Sequence, residues 1–139
     1  MIPEAITCMR WGGFKKDIKG RNTKSYQFAT CGNQQVCVQN LNPYTGIVRH
    51  KIINTGNLIR KYICVDFSKN AEDYLFVGTT TGDFLIFSLK NSHLSGKISV
   101  SALGVTSIRS VSRNILVVGC GNGDLQTFNV DGHKITPRK

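Results

Sequence analysis

An internal repeat limits this chain to a narrow set of architectures. Tyr74 to Leu89 reads YLFVGTTTGDFLIFSL, two apolar runs, Tyr74 to Val77 and Phe84 to Phe87, joined by Gly78-Thr79-Thr80-Thr81-Gly82-Asp83. Short β-branched, aromatic and aliphatic runs on either side of glycine-rich turn chemistry predict a β-hairpin with largely buried strands. A shift of 48 positions back sets Tyr26 on Tyr74, Phe28 on Phe76 and Leu41 on Leu89. A shift of 41 forward sets Gly119 on Gly78, Gly123-Asp124 on Gly82-Asp83 and Phe128 on Phe87. Agreement without gaps over three copies is an internal repeat rather than a chance match of hairpins.

Each copy also has a strand ahead of its hairpin. Ile6 to Trp11, Tyr62 to Phe67 and Val105 to Ser110 align column by column. Cys8, Cys64 and Ser107 form a small-residue column, and Met9, Val65 and Ile108 a larger apolar one on the opposite face, because side chains alternate along a strand. Turns at Asn42 to Gly46 and Asn91 to Gly96 lead to a fourth strand at Ile47 to Ile53 and Lys97 to Val100. In the third copy Asp131-Gly132 leads to His133 to Thr136, a last strand expected to be short or frayed. Four short strands every 40 to 50 residues are the pattern of β-propeller blades. The expected fold is therefore all-β, three four-stranded blades at about 5–53, 62–100 and 105–136, within one domain over 5–134 and with 1–4 and 137–139 as flexible ends. Closed rings hold roughly four to eight blades, so the remaining ones are expected from a longer polypeptide, or else from other chains.

The first copy departs from the others between Trp11 and Ser25, where GGFKKDIKGRNTK predicts a loop carrying Lys15, Lys16, Lys19, Arg21 and Lys24 against a single Asp17. The whole chain has 18 Lys and Arg against 8 Asp and Glu, a net charge of +10, and an acidic partner suits that balance. The five basic residues are the candidate contact for it, a solvated mobile loop being the alternative. Nucleic acid is disfavoured as partner because Phe14 is the only aromatic interleaved with these lysines, and base stacking would favour more.

Catalytic and cofactor motifs are not found. The five cysteines, at 8, 31, 37, 64 and 120, make no CxxC pair, and as small apolar groups they suit strand interiors better than a zinc or redox site. His50, His93 and His133 fall in turns or outer strands with no paired ligand. Gly119 to Gly123 joins two strands and does not open a helix, so it lacks the N-terminus that would hold a phosphate. No apolar run reaches the roughly 18 residues of a membrane span. Met1 to Glu4 has neither the basic nor the apolar region of a secretory signal, so a cytosolic site is expected. Gly82-Asp83 and Gly123-Asp124 share a column in the hairpin turns; the resemblance of the blade pattern to WD-repeat proteins implies that each Asp stabilises its turn by accepting hydrogen bonds from backbone amides.

The blade pattern resembles WD-repeat proteins in degenerate form, with Gln39-Asn40, Phe87-Ser88 and Phe128-Asn129 where the Trp-Asp pair would stand. The segments Tyr26 to Leu41, Asn54 to Arg60, GTTTGD at 78–83 and LGVTSIR at 103–109 are similar, in order and spacing, to the first propeller of the cilia- and flagella-associated WD-repeat proteins found inside doublet microtubules. That resemblance implies a structural, non-enzymatic microtubule inner protein in the axoneme, without a cofactor, bracing the B-tubule wall near the inner junction and binding tubulin and neighbouring inner proteins. A soluble propeller adaptor that presents a protein-interaction face in a multiprotein complex is the competing expectation.

Overall fold

The computed structural model describes residues 5–17, 19–56, 58–69, 74–131 and 134–138. Strands β1 (Ile6–Lys16), β2 (Asn22–Gly32), β3 (Val36–Leu41) and β4 (Val48–Ile52) form one antiparallel sheet in chain order. Strands β5 (Tyr62–Phe67), β6 (Tyr74–Thr79), β7 (Asp83–Ser88) and β8 (His93–Ser99) form the second. The third is built from β9 (Val105–Ser110), β10 (Ile115–Cys120), β11 (Leu125–Asp131) and β12 (Lys134–Arg138). These are three consecutive propeller blades, as the repeat predicts.

Adjacent blades stack face to face, and the cores lie at the two seams. Ala29, Val36, Val38 and Ile53 of the first blade meet Val65, Leu75, Val77, Leu85 and Phe87 of the second. On the other side of the second blade, Cys64, Phe76, Phe84 and Ile86 meet Ile108, Leu116, Val118, Phe128 and Val130 of the third, with Phe84 and Phe128 edge to face at 5.2 Å. Every residue of β6 and β7 is buried, which explains why YLFV and FLIF are unbroken apolar runs. Each fully buried Leu, Val, Ile or Phe contributes roughly 1.5–3 kcal/mol, so the seams carry most of the stabilisation.

The sheets approach most closely at their first strands, where β5 lies between β1 and β9. Asp66 of β5 sits there between two arginines of one repeat column, 3.8 Å from Arg10 Nε and 4.0 Å from Arg109 Nε. Its carboxylate also accepts from the Ser110 N–H at 2.8 Å and the Phe67 N–H at 3.0 Å. A carboxylate buried to this degree needs such compensation.

The second and third hairpins share one turn. In each, the third loop residue, Gly82 or Gly123, has φ near +100° or +90° and donates back across the turn, to Thr79 O at 3.4 Å and Cys120 O at 3.0 Å. The first hairpin is one residue tighter, Gly32 N–H reaching Gln35 O at 2.9 Å, and Gln34, in the glycine column, takes φ +78°. Next to each glycine turn, a bond ties the hairpin to the segment entering its own blade: Thr80 N–H to Lys61 O, and Gly121 N–H to Gly104 O, both 3.0 Å.

Several expectations change. The segment 12–24 is not a loop: β1 and β2 run on as a long hairpin and only Asp17 to Arg21 turns, because Phe14 faces Tyr26 and Trp11 faces Phe28 in register. Asp17 seeds the turn by accepting the N–H of Lys19 and of Arg21, both at 2.9 Å, with Gly20 at φ +78°. Residues 93–96, read as turn, belong to β8; Ser92 at φ +55° completes a tighter turn and Gly96 lies beside a register shift opposite Ile86. Pro137 and Arg138, read as a flexible end, pair with Phe128 and Thr127, so the last strand is not frayed. Met9 is 64% exposed although Val65 and Ile108 of its column are buried, because no sheet covers that face of the first blade. The expected ends at 1–4 and 139, Asn57, and the Gly132-His133 part of the last turn lie outside the described residues.

The turn carboxylates accept from side chains, where backbone amides were expected. Asp83, 3% exposed, takes the Thr79 hydroxyl at 2.5 Å and a forked contact from the Arg60 guanidinium at 3.2 Å. Asp124 is exposed and takes only the Asn122 amide at 2.8 Å. Asp83→Ala strands Arg60 and is expected to cost about 3 kcal/mol, whereas Asp124→Ala costs under about 0.5 kcal/mol; urea denaturation of the two variants checks the contrast. The glycines beside them differ in the same direction. A Cβ on Gly82 would overlap the Ser101 carbonyl, while one on Gly123 meets nothing within 4 Å. Gly123→Ala should therefore cost about 1 kcal/mol from its positive φ alone, and Gly82→Ala more than about 4 kcal/mol. Gln34→Gly should stabilise by about 1 kcal/mol through relief of the left-handed backbone.

Candidate functional site

Antiparallel strands place the first and third turns of each blade at one end of its sheet. Basic residues from several such turns meet there, at the seam between the first two blades. The end of β1 supplies Lys15, Lys16 and Asp17, the connection after β5 supplies Phe67, Ser68 and Lys69, and the end of β7 leads into Leu89 and Lys90. Together with Gly12, Phe14, Gln27 and Tyr74 they line a cleft of about 680 Å³. Its narrow side is fixed by Gly12, where a Cβ would come within 2.8 Å of the Phe67 ring. Ser68 and Tyr74 brace the blade-two wall, Ser68 N–H to Tyr74 O at 2.8 Å and Tyr74 N–H to Ser68 Oγ at 3.2 Å.

Among the described residues four lysines and one carboxylate line this cleft, and that carboxylate already pairs with Arg21 at 3.2 Å. Like charges brought together from two blades raise the local positive potential and favour an anionic group or an acidic polypeptide. Phe14 and Phe67 add apolar surface for the rest of such a ligand. Of the five basic residues singled out in the sequence, Lys15 and Lys16 reach this cleft. Lys19 is in the hairpin turn, Arg21 is engaged with Asp17, and Lys24 is exposed on β2, so these three do not line it. Lys69 and Lys90 were missed. Their signal was topological: each stands in a same-end turn of the second copy.

Among the described residues no three His, Cys, Asp or Glu side chains converge on one point. Burial pushes the Cys31 and Cys64 thiols up to about 12, the hydrogen bond from Thr7 and that with Gly78 only partly opposing it. A thiol held protonated is a poor nucleophile. Because the folded-state value lies above the ordinary 9.0, the stability these thiols contribute is complete below pH 9 and is lost as pH rises toward 12. Thermal melts between pH 7 and 11 should show Tm falling above pH 9, and the fall should be smaller in Cys31→Ala measured against its own neutral-pH value.

No family model and no curated protein matches the sequence. Solved structures do match in shape. A chain of the Chaetomium thermophilum Polycomb Repressive Complex 2 bound to GSK126 superposes with a TM-score of 0.70 at 8% identity, over 91% of this chain and 29% of that one. The β-propeller domain of Myceliophteria thermophila Cps50 (Swd1) gives 0.65 at 14% identity, over 80% of this chain and 42% of that one. A chain of the same Chaetomium complex in an apo, autoinhibited state gives 0.67 at 10% identity, over 89% and 28%. The chain thus spans well under half the length of these neighbours, and at such identities they establish the WD-repeat propeller fold alone.

Proposed function

We propose that this propeller segment is a non-catalytic protein-interaction scaffold whose lysine-rimmed cleft seats an acidic partner surface. The single observation behind this reading is the convergence of Lys15, Lys16, Lys69 and Lys90 from two blades on one partly apolar cleft. The finer form of the proposal follows the resemblance of the 78–83 and 103–109 segments: a microtubule inner protein of ciliary and flagellar doublets, located in the axoneme, where tubulin and neighbouring inner proteins are the partners. A net charge of +10 suits an acidic lattice.

The competing reading is a soluble propeller adaptor. It is favoured by the shape neighbours, two of which are chains of the Polycomb Repressive Complex 2. Detergent-extracted, salt-washed axonemes probed with an antibody to this chain separate the two. Retention on washed doublets supports the axonemal reading, and recovery in the soluble fraction alone supports the adaptor.

The cleft is tested within either reading by reversing its lysines. Lys15→Glu with Lys69→Glu is expected to lower retention, or capture by partner, in low salt while leaving Tm within a few degrees, since both side chains are exposed. Lys24→Glu, outside the cleft, should have the smaller effect.

A further inference from the structure

The lysine-rimmed cleft continues along the first blade. Arg10 of β1 lies beside Asp66, and Gly12 beside the ring of Phe67, the last residue of β5, so Gly13 to Lys16 run on past the end of the strand they pack against. The rest of the first sheet overhangs in the same direction. Ala29 and Val38, paired across β2 and β3, lie in the seam core, and the next residues on that face are Gln27 and Asn40, with Lys51 opposite Val38 and Arg49 opposite Asn40 on β4. Alternation along the strands puts all of them on the face toward the second blade.

Two further hollows lie on this overhang. One, of about 130 Å³, shares Lys15, Gln27 and Leu89 with the cleft and is also lined by Val38, Ile53 and Lys51. The other, of about 440 Å³, shares Lys15 and Asn40 with that hollow and reaches Arg49. The three therefore stand in series, with Lys15 common to all.

This series discriminates between occupants. Lys69 and Lys90 stand at one end, Lys15 and Lys51 in the middle and Arg49 at the other end, so the positive charge is strung out and a single inorganic anion meets only part of it. The middle hollow is apolar at its base, Val38 and Ile53 being buried and Leu89 half-buried. An apolar cavity of roughly 150 Å³ takes a benzene ring, and this one has room for one aliphatic side chain. Where the middle and far hollows join, the Asn40 amide oxygen is buried and, among the described residues, accepts no hydrogen bond. Such an acceptor gains from a donor, and the last torsion of an Asn side chain is broad enough to turn it toward one. A polypeptide backbone carries N–H donors at every residue but proline, whereas a phosphodiester backbone has none.

We propose, resting on the acidic-partner reading above, that the three hollows form one groove for an extended acidic polypeptide segment. One aliphatic side chain of that segment enters the middle hollow, and carboxylates on either side of it lie against the lysines of the cleft and against Arg49.

The probe is a fluorescein-labelled peptide, Glu-Glu-Gly-Leu-Gly-Glu-Glu, titrated with the full chain in low salt and followed by anisotropy. It is expected to bind, and the peptide with serine in place of leucine to bind about tenfold more weakly. Arg49→Glu, exposed on β4 and outside the cleft, should weaken the leucine peptide several-fold, and Lys24→Glu should have the smaller effect. No binding, equal binding of the two peptides, or an unchanged affinity in Arg49→Glu would overturn the groove, as would displacement by inorganic phosphate or by an oligonucleotide of equal charge at the concentration at which unlabelled peptide displaces. The acidic-partner reading fails separately: if Lys15→Glu with Lys69→Glu still lowers partner retention while the two peptides bind alike, the groove falls and the cleft stands.

Discussion

Each sheet in this chain holds its shape because another sheet lies against it. A four-stranded sheet with two apolar faces cannot satisfy both in water, so the second blade, buried on either side, is the fixed reference for its neighbours. The strands of its hairpin carry no outward polar alternation at all, a pattern that makes sense only between two partners. The first and third blades have one covered face each in this chain: Ala29, Val36 and Val38 of the first lie in a seam, and Ser107 and Thr127 of the third lie on its open face beside Val117 and Leu125.

Polar groups then set how the stacked sheets are aligned. Asp66 links three first strands through two arginines and a backbone amide, and Asp83 holds the linker residue Arg60 to the turn of its own blade. Both carboxylates are nearly buried, so each would be destabilising without its partners. Their value is therefore geometric: a rotation of one blade against the next leaves a desolvated charge unpaired. The lysine-rimmed cleft benefits directly, because its two walls belong to different blades and keep their spacing only while the seam is aligned.

The blade number, the strand order and most of the core were legible from the sequence because they follow from a repeat and from alternation, both of which are local signals. The long first hairpin was not legible. Its lysines and glycines outweighed the alternation of Trp11, Phe14, Tyr26 and Phe28, which in register forms a ring ladder strong enough to extend both strands. Asp17 and Gly20 were the missed turn signal, spaced as a short hairpin turn requires. Lys15 and Lys16 were found as candidates because they cluster in sequence, whereas Lys69 and Lys90 join them only through the meander of the second blade. The exposure of Met9 depends on what lies beyond the first blade, and no single residue column can report that.

The bonds from Thr80 to Lys61 and from Gly121 to Gly104 have a mechanical side. Each clamps the chain at the point where it enters a blade, on the turn of that same blade. Tension applied along the polypeptide would reach this clamp before the ladder of the first strand, and in the second blade it would pull against a turn anchored in two buried strands. Peeling of a first strand from its own sheet would therefore begin only after this bond had broken.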